Sequence, residues 1–383
     1  MTYFKDSDME MKYGEVRLQP LAYQDDLMRS SKDVLSTQVG NIKMAAMMEE
    51  KGLKAHPDKT CFIVCGNKGY KEKVQTDLQR NPIMFGNLPV VEKEGDRYLG
   101  QVLHGGGLAR SAEATVLERT GRIKGATREI KTIIEEYQMQ AIGGMMAAWE
   151  LWERALIPSL LSGAGTWFGM KSNRKAVELC DSLQNYFWRV MLTVPESCPK
   201  IALRCETGMM GMQWRIWLQQ VMLVLRIREQ APSSLSRQVY EESIANGLPG
   251  LAEEVTTICE EIGIPDVNTA DVQRSTIKDA IWNHHQQDLK KELEKSSKLS
   301  EVKDDDFSKV QEYFHEKSLY KTRMAFKIRS HMVPDIPGNF KRKYEKKGEE
   351  GLLCAYCDEG QVMSQSHCLV CLTIGQSCVN DWI

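Results

Sequence analysis

The sequence has neither a long apolar run nor a strong excess of charge of either sign. Its most apolar stretch, residues 141–161, is interrupted by Glu150, Glu153 and Arg154, so it falls short of the roughly 20 apolar residues that a membrane span requires. The 50 Lys and Arg residues nearly balance the 52 Asp and Glu residues, which gives a net charge of −2. We therefore predict no membrane partner, and the overall charge gives no sign of a phosphate-binding protein.

A disulfide framework and a secretory leader are also lacking. The eleven cysteines are an odd number, most of them are scattered through apolar segments, and residues 1–13 are polar and mixed in charge. Such cysteines are usually buried apolar residues of proteins in a reducing compartment. We therefore predict an intracellular protein. Its 383 residues, 42% of them hydrophobic, are enough for two or three domains.

The feature with the most evident chemistry is Tyr-Gln-Asp-Asp at residues 23–26, which lies between apolar residues. Adjacent carboxylates raise each other's pKa and are costly in an apolar setting unless a cation offsets their repulsion. Mg²⁺ is the usual cation of such pairs in enzymes that transfer phosphoryl or nucleotidyl groups. The motif predicts a β-hairpin with a divalent-metal site at its tip, and a solvated Asp-Asp turn is the alternative.

The segment after this motif predicts an amphipathic helix over residues 30–51. Ser30 is the expected N-cap, and Gly52 ends the helix. The expected apolar face consists of Leu35, Val39, Ile42 and Ala46.

The order of the following segments resembles the palm of reverse transcriptases from non-LTR (LINE-type) retrotransposons. A Gly-Leu loop leads to Lys59 and an apolar strand at residues 61–65, which is similar to the family's fourth palm motif. Tyr-Leu-Gly at residues 98–100 resembles the hairpin that grips the primer. Residues 155–167 resemble the family's Pro-x-Leu-x-Tyr-Gly-x-x-x-Trp region, with Ser162 where Tyr is common. The collinear order extends the resemblance over nearly the whole chain.

This resemblance implies RNA-directed DNA polymerase chemistry with Mg²⁺ or Mn²⁺, an RNA template, a DNA primer or target, and deoxynucleoside triphosphates. It implies that Asp25 ligates the metal, that Asp26 supports the site, and that Lys59 protonates the leaving pyrophosphate. A surface role for Lys59 is the alternative. The residues that it places beside primer or template are Tyr23, Gln24, Tyr98, Leu99 and Gly100. Gln24 departs from the small residue that is usual at its position.

A cluster of cysteines near the end of the chain predicts a Zn²⁺ site. The short Cys-x-x-Cys spacing lets two thiolates face one metal, and a later His and Cys complete a tetrahedral set. The predicted ligands are Cys354, Cys357, His367 and Cys371. Cys368 is an alternative fourth ligand, and a tail of free thiols is the alternative to a zinc site. The cluster resembles the Cys-Cys-His-Cys module of LINE-type polymerases.

Basic residues are concentrated just before this module. Residues 317–347 carry ten Lys and Arg residues against Asp335 and Glu345, with aromatic residues among them. Cations interleaved with rings suit RNA or single strands, and a solvated linker is the alternative. The predicted nucleic-acid contacts are Lys321, Arg323, Lys327, Arg329, Lys341, Arg342 and Lys343.

Together these patterns predict an α+β fold. A partial polymerase palm, made of a short antiparallel sheet with helices, precedes a mainly α-helical thumb and connector and a small zinc-binding module. The predicted boundaries are 1–107 for the palm, 108–231 for the thumb, 232–347 for the connector with its basic stretch, and 348–383 for the zinc module.

The predicted metal centre lacks one of its parts. Two-metal nucleotidyl transfer needs a further Asp from a neighbouring strand, and Asp6 and Asp8 lie in a polar segment without strand pattern. In the family this Asp and the fingers lie upstream. We therefore expect the C-terminal portion of a polymerase, found in nucleus and cytoplasm as a ribonucleoprotein, with little activity alone. The alternatives are a non-catalytic RNA- or DNA-binding protein from a truncated element, or an unrelated helical protein.

Overall fold

The structure is a computed structural model, and it describes residues 11–18, 20–23, 26–136, 144–168, 174–248, 250–295, 299 and 307–330. It is a mixed α and β fold in which helices predominate, so the coarse fold class is confirmed. Two compact units are present. The first takes in residues 1–125, 153–184 and 210–285, and the second takes in residues 126–152, 185–209 and 286–383. The boundaries drawn from the sequence at residues 107, 231 and 347 remain predictions.

The described strands are short and pair in twos. Four pairs are antiparallel hairpins: β1 (Met11–Tyr13) with β2 (Val16–Leu18), β3 (Leu21–Tyr23) with β4 (Asp26–Met28), β6 (Met84–Phe85) with β7 (Leu88–Pro89), and β9 (Gly95–Tyr98) with β10 (Gln101–His104). The fifth pair is parallel and joins β5 (Cys61–Phe62) to β8 (Val91–Glu92). Two-stranded ribbons are marginal in water unless other elements pack against them.

The described helices fill most of the remaining chain. They are α1 (Val34–Glu50), α2 (Lys68–Arg80), α3 (Leu108–Glu136), α4 (Gly144–Leu151), α5 (Ile157–Leu160), α6 (Lys175–Leu192), α7 (Lys200–Thr207), α8 (Met212–Arg228), α9 (Leu235–Ala245), α10 (Leu251–Glu261), α11 (Arg274–Glu294) and α12 (Leu319–Arg329). Among the residues described, no helix is long and apolar enough to cross a membrane.

Helix α1 differs from its prediction at its start and in its buried face. Asp33, not Ser30, is the N-cap, since its side chain accepts a hydrogen bond from the Ser36 backbone N–H at 2.7 Å. Leu35 and Ile42, expected in the core, are 74% and 56% exposed.

The orientation of α1 follows from polar contacts that a pattern of apolar residues does not reveal. Gln38 accepts a hydrogen bond from the Met84 N–H, and Asn41 donates one to the Met84 carbonyl. Both bonds turn this side of the helix toward strand β6 and leave the predicted apolar face outside.

The larger core of the first unit lies among α8, α9, α10 and α11. It is formed by buried aliphatic and aromatic side chains of these helices, including Trp214, Val221, Val255, Ile258 and Ile277. A small second core under the strands contains Val34, Val74 and Ile83. The second unit has an aromatic core of its own, in which Trp152 packs on Phe187, Phe187 on Trp188 and Trp188 on Phe314.

Candidate nucleic-acid interface

Hairpin β3–β4 carries the predicted metal site, and the structure describes part of it. Tyr23 pairs with Asp26 across β3 and β4, so a hairpin lies at the predicted place. Asp26 begins β4 and is exposed. Gln24 and Asp25, which connect the paired residues, lie outside the described residues, as does the side chain of Tyr23.

Lys59, the predicted acid for pyrophosphate departure, lies at the end of a short 3-10 turn over Pro57–Lys59 and is exposed. Within the part of the chain that is described, no ion pair joins it to Asp26. The structure gives Lys59 the surroundings of a surface residue, and its catalytic role remains a prediction.

A polar cluster lies between β5 and the base of hairpin β9–β10. The Cys61 thiol donates to Asp96 Oδ2 at 2.9 Å, and Lys93 Nζ donates to the same oxygen at 2.8 Å. Burial and this hydrogen bond raise the pKa of Cys61 to about 11. Cys61 is therefore mainly a neutral thiol at physiological pH. Partial burial opposes ionisation of Asp96, but the hydrogen bonds outweigh it and lower the Asp96 pKa.

The tip of hairpin β9–β10 has a strained backbone. Tyr98 pairs with Gln101, and the two residues between them both have positive φ, at 47° for Leu99 and 77° for Gly100. Such turns fit the twist of a hairpin, but they favour Asn or Gly because a Cβ is crowded in the left-handed region. Leu99 is nevertheless 48% exposed, so no apolar burial offsets this strain.

Helix α3 closes one edge of this hairpin with side chains one turn apart. The Val102 N–H donates to Thr115 Oγ1 at 2.8 Å, and the His104 N–H donates to Ser111 Oγ at 2.9 Å. Arg119 lies one turn further along the same face of the helix. The edge amides of β10 are thereby satisfied, which stabilises a ribbon that has no third strand.

Arg119 joins the hairpin tip to the end of another helix. Its side chain is buried, with 4% exposure. Nη2 donates to the Gly100 carbonyl at 2.6 Å, and Nη1 donates to the carbonyls of Leu160 at 2.7 Å and Ser162 at 2.9 Å. The carbonyls of Leu160 and Ser162 lie at the C-terminal end of α5. A cation there satisfies unpaired acceptors and interacts favourably with the negative end of the helix dipole.

Gln101 makes the second connection between the same segments. Its Nε2 donates to the Ser162 carbonyl at 2.6 Å, and its Oε1 accepts from Trp167 Nε1 at 3.0 Å. Gly163, with φ of 75°, leaves the space that the Gln101 amide occupies. We call Arg119, Gln101 and Trp167 with their bonds to residues 100 and 160–162 the brace.

The surface beside the tip carries more positive than negative charge. Arg97 Nη1 lies 3.2 Å from Glu118 Oε1, and Arg122 Nη2 lies 3.7 Å from the same oxygen. Both arginines are more than half exposed. Two guanidinium groups thus share one carboxylate oxygen, and this group of three residues keeps a net positive charge next to Tyr98.

Two of the predicted cationic contacts are engaged within the second unit instead. Arg323 donates to Glu135 Oε1 at 2.6 Å and to the Met191 carbonyl at 2.8 Å. Arg329 Nε donates to both oxygens of the buried Glu206, at 3.0 and 2.9 Å. These bonds give both arginines a structural role that their spacing in the sequence did not suggest.

Of the predicted contacts, the described cations that remain for a nucleic acid are Lys321, which is exposed, and Lys327, which is half-buried. Lys317, at the start of the basic stretch, is also exposed. Lys341, Arg342 and Lys343 lie outside the described residues. The predicted basic surface is therefore narrower than the sequence suggested, at least in its described part.

The predicted metal ligands cannot be assembled from the described residues. Asp26 is the only one of them that is described. Within the same residues, no group of three His, Cys, Asp or Glu side chains could hold an ion. The donor set of Cys354, Cys357, His367 and Cys371 suits Zn²⁺ by its chemistry, but it lies outside the described residues. We therefore derive no catalytic step through either metal.

Sequence reasoning missed the brace and the edge closure by α3. A signal was present, because Ser111, Thr115 and Arg119 recur at intervals of four and so share one helix face. Nothing in the sequence linked that face to the Tyr98–Gly100 turn or to residues 160–162. No protein-family model, no curated protein and no solved structure matches the chain.

Proposed function

We propose that this chain is part of a non-LTR retrotransposon reverse transcriptase, running from the catalytic hairpin through the thumb to a zinc module. In this role it binds an RNA template annealed to a DNA primer, and it acts in nucleus and cytoplasm as a ribonucleoprotein. The hairpin tip at residues 98–100 contacts the primer strand near its recessed 3′ end.

The observation that carries the proposal is the contact between two motifs that lie about 60 residues apart. The Tyr-Leu-Gly hairpin and the segment at residues 155–167 each resemble a motif of the polymerase family in sequence. Gln101, directly after the first motif, bonds to Ser162 and Trp167 within the second. The two resemblances therefore fall on segments that contact each other within one unit.

The chemistry of the tip also supports this role. Leu99 presents an exposed apolar side chain, Tyr98 is half-buried next to it, and the Arg97–Glu118–Arg122 group adds local positive charge. Apolar and aromatic groups pack against nucleotides, while cations attract phosphates. The weak overall charge of −2 therefore does not exclude nucleic acid, because the charge is distributed unevenly.

The binding claim is tested by fluorescence anisotropy with the purified 383-residue chain. The ligands are an RNA–DNA hybrid with a recessed DNA 3′ end, the same hybrid with blunt ends, and the single-stranded RNA. We expect the recessed hybrid to bind more tightly than the blunt one, and Leu99→Ala to remove that preference. Equal affinities for both hybrids, unchanged in Leu99→Ala, would contradict the proposed role of the tip.

The catalytic claim is tested separately by primer extension with Mg²⁺ and deoxynucleotides, beside Asp25→Ala and Asp26→Ala controls. The described residues supply Asp26 alone to a metal centre, so we expect binding without extension from this chain. Extension that both controls abolish would mean that a further carboxylate completes the centre.

The alternative is a non-catalytic nucleic-acid-binding protein derived from such an element. Complementation separates the two readings: extension restored by adding a fingers and upstream palm fragment of the family supports the enzyme, and binding without restoration supports the alternative.

The zinc module has its own test. We expect one Zn²⁺ per chain by elemental analysis, and its loss in a Cys354→Ser, Cys357→Ser double variant, because two thiolates of a tetrahedral set are removed. A Cys61→Ser, Cys65→Ser variant is the matched control, and it should retain the metal.

A further inference from the structure

Arg119 is a buried cation whose described hydrogen bonds all go to backbone carbonyls. Burial of a charged group is costly unless its hydrogen bonds are satisfied, and a hydrophobic side chain of similar size often costs less. Burial lowers the pKa of the Arg119 guanidinium, with Arg122 acting in the same direction and Glu118 opposing it. An apolar residue at this point of α3 would fill space but would leave the Gly100, Leu160 and Ser162 carbonyls without this donor.

The position of these carbonyls indicates what the cation does. Gly100 directly follows Leu99, whose left-handed backbone persists only if its surroundings fix it. Gln101 and Val102, the next two residues, are held by the Ser162 carbonyl and by Thr115. Three successive residues after the strained one are thus tied to α3 or to the end of α5.

The Ser162 carbonyl is shared by the two side chains of the brace. It accepts from Arg119 at 2.9 Å and from Gln101 at 2.6 Å. A lysine at position 119 carries the charge but lacks the planar fork that reaches carbonyls in two directions. The geometry of the contact, and not only its charge, therefore requires arginine.

We propose that Arg119 is a positioning residue that holds the Leu99–Gly100 tip in the conformation that engages the primer strand, an inference that rests on the proposed function. Arg119 does not touch the nucleic acid, because it is enclosed between the tip and the end of α5. Its effect on binding passes through Leu99, whose exposed side chain makes the contact.

The test combines Arg119→Gln, Arg119→Lys, Leu99→Ala and the double variant Arg119→Gln, Leu99→Ala. Arg128→Gln is the matched control, because it removes an exposed charge from the same helix. Affinity for the recessed RNA–DNA hybrid and for single-stranded RNA is measured by anisotropy. Hydrogen exchange of the amides at residues 100–102 reports the order of the tip.

We expect Arg119→Gln to weaken binding of the recessed hybrid at least tenfold while single-stranded RNA binds within twofold of the parent. Arg119→Lys should lose threefold to tenfold. Amides 100–102 should exchange faster in both variants, and the double variant should bind no more weakly than Leu99→Ala by itself. Arg128→Gln should match the parent in both readouts.

Three results would overturn the inference. One is a folded Arg119→Gln chain that binds the recessed hybrid like the parent while Leu99→Ala weakens it, which leaves the proposed function intact. Another is fully additive losses in the double variant, since the two residues would then act separately. If Arg119→Gln does not fold, Arg119→Lys decides: unchanged exchange and affinity would overturn the inference. If every variant, including Leu99→Ala, keeps the preference for the recessed hybrid, the proposed function itself fails.

Discussion

The two hairpins at the motifs that resemble a polymerase palm, β3–β4 and β9–β10, have the same topology but different surroundings. Each has two residues between the pairs that close it, Tyr23–Asp26 in one and Tyr98–Gln101 in the other. Helix α3 and the brace fix the edge and tip of β9–β10. For β3–β4, no side-chain hydrogen bond to another element is found among the described residues.

This difference teaches that the stability of a two-stranded ribbon comes from its neighbours. Residues of α3 supply hydroxyl and guanidinium groups at the points where β10 would otherwise need a third strand. The hairpin that resembles a metal-binding turn lacks such support within the described residues. Among the described residues of the two hairpins, the tip at residues 98–100 therefore has the larger number of side-chain contacts that fix its backbone.

Removal of Arg119, the cation of the brace, should do most to reduce the difference in support between the two hairpins. Arg119→Met leaves three carbonyl acceptors without their charged donor, so we expect the first unit to lose about 2–4 kcal/mol of unfolding free energy. Urea unfolding followed by tryptophan fluorescence measures the loss. Arg128→Met, at an exposed position of the same helix, should change stability by less than about 0.5 kcal/mol. Equal effects of both variants would show that the brace contributes nothing special.

A smaller perturbation acts on the space that the brace occupies. Gly163 has φ of 75°, and a Cβ there would overlap the Gln101 amide. We expect Gly163→Ala to cost about 1–2 kcal/mol, because strain and displacement of Gln101 add together. The control is Gly121→Ala, since a Cβ at this helical position meets nothing within 4 Å.

The control variant Gly121→Ala should change stability in the opposite direction. Alanine lowers the entropy cost of a helix interior, so Gly121→Ala should stabilise the protein by about 0.5–1 kcal/mol. Thermal unfolding of both variants under one condition gives the comparison. Stabilisation by both would mean that Gln101 does not need the space at Gly163.

A residue that accepts positive φ at position 99 should relieve backbone strain and make hairpin β9–β10 still more stable relative to β3–β4. Asparagine tolerates positive φ and precedes glycine in favoured two-residue turns, so Leu99→Asn should stabilise the protein by about 0.5–1 kcal/mol. The same variant should bind the recessed hybrid more weakly, because the exposed apolar contact is lost. A stable variant with unchanged affinity would separate the strain of Leu99 from any role in binding.

The smallest expected effect concerns acid stability at the base of β9. The folded-state pKa of Asp96 lies below its ordinary value because Cys61, Lys93 and the Arg97 amide donate to it. Its contribution is therefore complete above about pH 4, the ordinary Asp pKa, and is lost as the pH falls through the lower folded value.

Asp96→Asn tests that contribution. The parent should lose its stability advantage over the variant when urea midpoints are compared between pH 6 and pH 3. Parallel curves at all pH values would contradict a stabilising role for the ionised carboxylate.

Local patterns predicted several elements of the fold. The pairing of Tyr23 with Asp26, the hairpin after residue 90 and the helical character beyond residue 108 all have short-range signals, namely turn chemistry and periodicity. The predicted buried face of α1 was wrong because Gln38 and Asn41 form hydrogen bonds with Met84, which lies more than 40 residues away in the sequence.

Long-range contacts limited the prediction of the candidate site even more. Tyr98, Leu99 and Gly100 were found from their own motif, whereas Arg119 acts on residues 19 and more than 40 positions away. Arg323 and Arg329 were predicted to contact nucleic acid, and their bonds to Glu135 and Glu206 were not foreseen because these partners lie more than 120 residues earlier. Long-range polar contacts decide which cations remain at a surface, and a single sequence does not reveal them.

The central claim is that the tip at residues 98–100 meets the 3′ end of a primer. The most direct test places a photoreactive nucleotide at the recessed DNA 3′ end of an RNA–DNA hybrid and maps crosslinks by mass spectrometry. We expect crosslinks within residues 97–101 that decrease in Arg119→Gln and persist in Arg128→Gln. Crosslinks found elsewhere in the chain, with none at the tip, would contradict the claim.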